Sequence, residues 1–439
     1  MFKSLPQTAT APFCPSEVQG SVNVPNGLSF WKKLLFFAGP GLLVSVGYMD
    51  PGNWATDIEA GSRFGYSLLF IVLLSSLTAI VLQCLSLRVG LVAQKDLAQL
   101  CRDQYAKPTR LILWILAELA IIATDVAEVL GGALAFKLLF GVSLFTGIAI
   151  TAFDTVLILS LKGRGFRDVE AIVLGLVLTI AACFFVELIL VGPHWPDVFS
   201  GFIPRVQLFA QKEPWYLAIG ILGATVMPHN LYLHSSIVRT RNNGLSEESL
   251  RESLTLAQAD TIFSLSLAFF VNAAILILAA SAFHLTGHTA VTEIDDAYHL
   301  LDPIMGSGIA SLLFGVALLA SGQSSTFTGT IAGQILLEGF LNLKIPCWKR
   351  RVITRALALV PALLGVWWFG ENSVGRLLVI SQVVLSFQLP FAIYPLIRFA
   401  SDRKLMGTFK IRAHTQMIAW TLFMIISSAN LWLVVQFLR

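Results

Sequence analysis

Charge is what this 439-residue sequence has least of. Asp, Glu, Lys and Arg make up 13% of it, against roughly 25% in a soluble domain, and 56% is hydrophobic. A chain so composed has no means of covering itself with polar surface, which excludes an ordinary soluble fold. Cysteine is scarce too: Cys14, Cys84, Cys101, Cys183 and Cys347 are scattered without a CxxC pair, so neither a disulfide framework nor a zinc site is expected. The polar stretch before Trp31 lacks the apolar core of a cleavable signal peptide. No HExxH, GxSxG or phosphate-binding Gly-rich motif stands out, which leaves little basis for an enzyme. The net charge of +4 does not argue for nucleic acid, because the basic residues fall between apolar runs, where insertion topology accounts for them.

Those runs recur along nearly the whole chain at the roughly 20 residues that span a bilayer. Eleven spans are expected, over about 31–60, 66–91, 110–137, 144–161, 169–192, 215–239, 260–285, 306–338, 350–368, 374–398 and 412–437. Alternate loops carry 22 of the 30 Lys and Arg residues on one side and 5 on the other. By the positive-inside rule the N-terminus is cytoplasmic and the C-terminus external. The expected organisation is a cytoplasmic tail, 1–30, and one transmembrane domain, 31–439: helices 1–5 over about 31–192, helices 6–10 over about 215–398 and helix 11 over about 412–437.

Two of these spans contain helix breakers. Asp50-Pro51-Gly52-Asn53 interrupts helix 1, and Met227-Pro228-His229-Asn230 interrupts helix 6. Proline removes a backbone donor and glycine tolerates most backbone angles, so both segments are expected to unwind and free carbonyls. Five helices separate the breaks, which points to two halves of inverted topology with a site at the midplane. A carboxylate there costs about 2.5–3.5 kcal/mol on insertion scales unless a cation or proton compensates it. Asp50 carboxylate, Asn53 amide oxygen, Met227 sulfur and the carbonyls near Gly47 and Ala224 form a set suited to Mn²⁺ or Fe²⁺, because a thioether disfavours hard Mg²⁺ and Ca²⁺. Against this stand plainer readings: Asp-Pro-Gly-Asn is a good turn anywhere, and a membrane methionine is usually packing.

The two motifs together resemble the paired signature of the Nramp family of divalent metal transporters. Thr124-Asp125-Val126-Ala127-Glu128, Ser321-Gly322-Gln323-Ser324-Ser325-Thr326 with Gly329 and Gly333, and Ser381-Gln382 extend the resemblance over essentially the full chain. It implies an all-α integral membrane fold of LeuT-like inverted-repeat type, five plus five helices and an eleventh, with helices 1 and 6 broken at the midplane. The implied activity is proton-coupled import of Mn²⁺, Fe²⁺ and similar ions such as Cd²⁺ and Co²⁺ through a bacterial inner membrane. Asp50, Asn53 and Met227 are then side-chain ligands, with the carbonyl of Ala224 or of Gly47 according to conformation, and Gln382 able to approach the metal. The resemblance also assigns Asp50, Asp125 and Glu128 to the proton route, with His229 nearby.

Glu118, Asp125 and Glu128 lie within an arc of about 80° on helix 3, so one face carries three acids. Arg350, Arg351 or Arg355 at the start of helix 9 are their expected partners, either as part of a proton route or as a static ion-pair network. His229 adjoins the site and titrates near neutrality when unperturbed, though a lone membrane histidine is commonly an interhelical hydrogen-bond partner. His234 is placed on the inner path. His284, His288, His299, Glu293, Asp295 and Asp296 fall in the loop after helix 7, either a solvated loop or a cation-gathering one. The expected partners are a divalent metal ion, protons and lipid; no cofactor, nucleic acid or obligatory protein partner is expected. The alternatives are a carrier of the same fold for Mg²⁺ or a sodium-coupled amino acid, then a channel, then a membrane enzyme.

Overall fold

The computed structural model describes residues 19–25, 27–153, 166–205, 208, 212–306, 308–343 and 347–437. The rest of the tail and the second half of helix 4, 154–161, lie outside the described residues. Among the described residues, seven helical runs are long and apolar enough to cross a membrane: Pro51–Ala93, Phe166–Val191, Glu247–His284, Ala310–Leu341, Val352–Phe369, Val374–Ala400 and Ala413–Gln436. The other expected spans fall short for physical reasons. Helices 1 and 6 are interrupted, helix 3 (Lys107–Phe140) carries three acids through its middle, and helix 4 is described only over Leu144–Ala152. The protein is a multi-pass membrane protein.

Helix 1 comes in three pieces, Phe30–Phe37, Pro40–Gly47 and Pro51–Phe64. The break in its middle covers Tyr48–Asp50 and not Asp50–Asn53 as expected. Asp50 is the N-cap of the outer piece, its carboxylate accepting from the Asn53 N–H, and Pro51 is the first helical residue, where its missing N–H costs nothing. The sequence reading missed the other interruption, at Ala38–Gly39. Gly39 has φ 141°, and a Cβ there would lie 2.3 Å from Arg241 Nη2 and 2.4 Å from Glu170 Cδ, so glycine is required both for conformation and for space. Helix 6 breaks between Lys212–Thr225 and Pro228–Ile237, with Met227 as N-cap and Pro228 again opening the second piece.

Helix 7 starts at Glu247 and not near 260, because Ser246 caps it and its charged first turns continue beyond the apolar run. It packs along helix 2 (Leu69–Ala93), and helix 8 packs along helix 3. Each pair is offset by five, the same offset that relates the broken helices. Helix 8 is central, with 72% of its most apolar window buried, whereas helices 9 and 11 bury 28% and 22% and turn residues such as Trp367, Trp368, Met417 and Leu431 outward, as lipid-facing helices do.

Close helix crossings depend on small residues. A Cβ on Gly90 of helix 2 would stand 2.1 Å from the backbone oxygen of Ser235 in helix 6, and a backbone atom has no rotamer by which to retreat. Gly90→Ala is therefore expected to cost about 1–3 kcal/mol of stability, read as a lower thermal unfolding midpoint in detergent. An unchanged midpoint would mean that helix 6 shifts freely.

Candidate functional site

The two midplane breaks face each other. Asn53 Nδ2 donates to Asp50 Oδ1 at 2.6 Å and to the Ala224 carbonyl at 3.1 Å, so one amide nitrogen bridges a carboxylate on helix 1 and a freed carbonyl on helix 6. Those are two of the oxygens that a cation would take, and rotation of the Asn53 amide by half a turn presents its own oxygen to the same point. Asp50 Oδ2 accepts no hydrogen bond of ordinary geometry among the described residues, and Gln382 faces it from helix 10. The Gln382 amide lies so close to Gly52 that a Cβ there would meet it. Asp50, Asn53, Ala224, Met227 and Gln382 are all buried, at most 1% exposed, which makes this a dry, occluded site.

Other polar side chains hold the broken backbone in place. Met49 O accepts from Trp54 Nε1 and Ser321 Oγ, Tyr48 O from Asn272 Nδ2, and Val44 O from Asn230 Nδ2. A Cβ on Gly47 would meet the same Asn230 amide. Unwinding thus exposes few unsatisfied carbonyls, as a membrane interior demands. Among the described residues no three His, Cys, Asp or Glu side chains converge as a metal-holding group. What converges here is one carboxylate, two amides, a carbonyl and the segment carrying a thioether.

Asp125 and Glu128 of helix 3 are buried and both lie against helix 8: a Cβ on Gly329 would be 2.9 Å from Glu128 Oε1 and 3.2 Å from Asp125 Oδ1. Glu128 is within electrostatic reach of Asp125, Arg355 and Asp50, which makes it the intermediate acid between the site and helix 9. Arg355 donates through Nε and Nη2 to the Thr151 carbonyl. Glu118 is only half-buried, two turns away from Asp125. Arg350 and Arg351 belong to helix 9, Cys347–Phe369, and their side chains lie outside the described residues.

His229 is buried with Nδ1 3.4 Å from Thr124 Oγ1, so it joins helix 6 to the same stretch of helix 3 as Asp125. His234 belongs to a buried chain in which Gln83 Nε2 donates to Tyr48 Oη, Gln83 Oε1 is 2.9 Å from His234 Nδ1 and Thr261 Oγ1 is 3.5 Å from His234 Nε2. That chain starts at the helix 1 break and ends on helix 7.

The stretch after helix 7, expected as a loop, contains a helix, Ile294–Met305, that carries Asp295, Asp296 and His299, and His284 closes the last turn of helix 7 itself. Asp295 pairs with Lys137 at 3.4 Å, and Glu293 Oε2 accepts from the Gly375 N–H at the start of helix 10. Burial pushes the Glu293 carboxyl up to about 7. His284 Nδ1 is 2.9 Å from the Ser62 carbonyl, and His299 stands edge-on to Tyr298.

A second polar centre, which the sequence reading missed, lies at the Ala38–Gly39 break. Arg241, after helix 6, donates to the Phe37 and Ala38 carbonyls at 2.7 and 2.8 Å and to Glu170 of helix 5 at 2.7 Å. Asp260 of helix 7 accepts from the Gly41 N–H at 2.7 Å. Arg167 adds bonds to the Ala38, Leu35 and Phe36 carbonyls. Glu170 and Asp260 were visible as acids inside spans, a costly choice that marks function. Asp57 is likewise buried in the outer piece of helix 1, seven residues and about two turns from Asp50.

Residues 41–436 match the family model described as natural resistance-associated macrophage protein-like, Nramp. A protein of Ralstonia nicotianae named divalent metal cation transporter MntH is 65% identical over 435 residues, covering 99% of this chain and 98% of the relative. A Pseudomonas aeruginosa protein named divalent metal cation transporter MntH 1 is 64% identical over 428 residues, covering 98% of each. Among solved structures, a manganese transporter of Eremococcus coleocola in complex with an aromatic bis-isothiourea substituted compound superposes with a TM-score of 0.87 at 40% identity, covering 95% of this chain and 89% of that one. Mhp1, a nucleobase-cation-symport-1 family transporter, shares the fold at 15% identity and a TM-score of 0.61 over 99% and 97% of the two chains. With the paired breaks in register and a family match from helix 1 to helix 11, the chain belongs to the Nramp family.

Proposed function

We propose that the protein imports divalent transition metal ions, Mn²⁺ and Fe²⁺ foremost, coupled to protons, by alternating access across a bacterial inner membrane, with its N-terminus cytoplasmic and its C-terminus external. The observation that carries this reading is the buried bridge from Asp50 through Asn53 to the Ala224 carbonyl, with Met227 capping the second break. The relatives named as divalent metal cation transporters and the manganese transporter structures support it. Asp50, Asn53, Met227, Gln382 and the Ala224 and Gly47 carbonyls are the proposed ligands. Protons pass from Asp50 by way of Asp125 and Glu128, beside His229, toward helix 9 with Arg350, Arg351 and Arg355; Glu118 extends that face, and His234 lines the inner path.

The physical logic is that of a buried acid serving two cations. Asp50 needs a compensating positive charge in a site this dry, and a dication or a proton supplies it. The thioether favours transition metals over Ca²⁺ and Mg²⁺. Inside-negative potential contributes about 2.3 kcal/mol per charge per 100 mV to inward movement.

The test is Mn²⁺ uptake into proteoliposomes of purified protein with internal pH recorded. Saturable uptake with internal acidification supports the reading. Flux without saturation would make it a channel, and uptake of Mg²⁺ or an amino acid in place of Mn²⁺ would assign the fold another substrate. Met227→Ala is expected to weaken Mn²⁺ and Cd²⁺ binding about tenfold, the worth of one soft donor at roughly 1.4 kcal/mol, while admitting Ca²⁺. Selectivity identical to wild type in competition uptake would remove the thioether from the site.

A further inference from the structure

We propose that residues Gly20–Val24 form a strap that holds the cytoplasmic end of helix 1 shut, so that metal release requires the strap to peel. The inference rests on the alternating-access reading above, in which that end of helix 1 moves.

The strap is built from backbone pairing. Strand β1, Val22–Asn23, runs parallel to β2, Arg241–Asn242, with Val22 opposite Arg241 and Asn23 opposite Asn242. Gly20 N–H donates to Arg239 O at 3.0 Å and Val24 N–H to Asn242 O at 3.1 Å, so the pairing continues beyond both ends of the strands. Asn242 Nδ2 donates to Asn23 Oδ1 and Arg239 Nη2 to Gln19 Oε1. Val24, 6% exposed, is buried among Phe37 of helix 1, Leu87 of helix 2, Val238 after helix 6 and Leu254 of helix 7. One short segment therefore touches the inner end of helix 1 and three of the elements against which helix 1 closes.

Its partner strand gives the pairing mechanical consequence. Arg241 belongs to β2, and its guanidinium grips the Phe37 and Ala38 carbonyls at the inner break. Fixing the Arg241 backbone fixes the reach of that side chain, so strap and clamp engage as one unit. Only residues 25–29 separate the strap from the start of helix 1 at Phe30, a tether of at most about 20 Å when extended. Helix 1 cannot swing far without pulling the strap from β2. A two-residue pairing with an exposed edge is weak enough to peel reversibly.

The test uses the full chain with Cys14, Cys84, Cys101, Cys183 and Cys347 replaced by alanine, and Asn23→Cys/Asn242→Cys added. Directly paired strand residues fall inside the disulfide range of about 4.4–6.8 Å between Cα atoms. Oxidation is expected to form the bond, to lower Mn²⁺ uptake at least tenfold while Mn²⁺ binding persists, and to be reversed by reductant. Uptake that continues with the bond confirmed by peptide mass overturns the strap, as does failure of the bond to form. If the cysteine-free parent itself takes up no Mn²⁺ although it folds, the transport reading fails instead. Independently, Val24→Pro removes the donor to Asn242 O and is expected to speed amide hydrogen exchange over Leu34–Ala38 at least threefold. Unchanged exchange there counts against the strap whatever the uptake.

Discussion

Asp50→Asn is expected to abolish Mn²⁺ uptake at micromolar metal while leaving the protein folded. The substitution separates charge from structure unusually well. Asp50 caps the outer piece of helix 1 through Oδ1, and asparagine is as good an N-cap as aspartate. The variant keeps the shape, the capping bond and a bridging oxygen, and it loses one negative charge. In a site where no residue is more than 1% exposed, a dication deprived of its single carboxylate ligand loses about 3–5 kcal/mol, roughly 10²–10³-fold or more in Kd. Calorimetric titration of Mn²⁺ checks the number and thermal unfolding checks the fold. Affinity within tenfold of wild type would show that Asp50 is only a cap.

The same residue shows how far the sequence could be read. Helix breakers inside apolar runs, five helices apart, are a local signal, because the cost of proline or aspartate in a membrane helix is written in residue type alone. The two broken helices and their facing were legible for that reason. Where each break begins was not. A proline ends nothing when it is the first residue of the next piece, so the gap fell at Tyr48–Asp50, beginning two residues earlier than the motif suggested. The start of helix 7 was obscured because hydropathy marks only where lipid begins, and the helix extends beyond it on a serine cap.

The inner clamp was hidden for a different reason. Arg241 reads as one more basic residue obeying the positive-inside rule, and only folding shows that its side chain is wholly buried against Glu170. Gly39 likewise carries no local mark of the break that its φ of 141° places there. Contacts spanning 71 and 204 residues, Arg241 to Glu170 and to Phe37, leave no periodic trace in the chain.

That clamp carries the second large expectation. Arg241→Ala is expected to destabilise the inward-closed state by about 3–5 kcal/mol, the cost of stripping one partner from a buried ion pair. Glu170, its side chain 4% exposed, would keep only Arg167 at 3.2 Å, and the Phe37 carbonyl at the helix break would lose its guanidinium donor. Arg241→Lys should rescue little, since a single ammonium cannot serve two carbonyls and a carboxylate with the geometry of a planar fork. Because the loss falls on the contacts that tie the helix 1 break to β2 and to helix 5, it should appear first as opening: faster hydrogen exchange over Phe37–Gly41 and impaired uptake, with Mn²⁺ bound from outside more weakly. Global unfolding is separated from opening by Arg241→Met/Glu170→Gln, which removes both charges of the buried pair, leaves Asp260 its Gly41 N–H donor, and should recover most of the thermal midpoint. It should not recover closure, because the Phe37 carbonyl still lacks its guanidinium donor and the Ala38 carbonyl keeps only Arg167. If the double variant closes and transports like wild type, the clamp is an ordinary buried ion pair and the gate lies elsewhere.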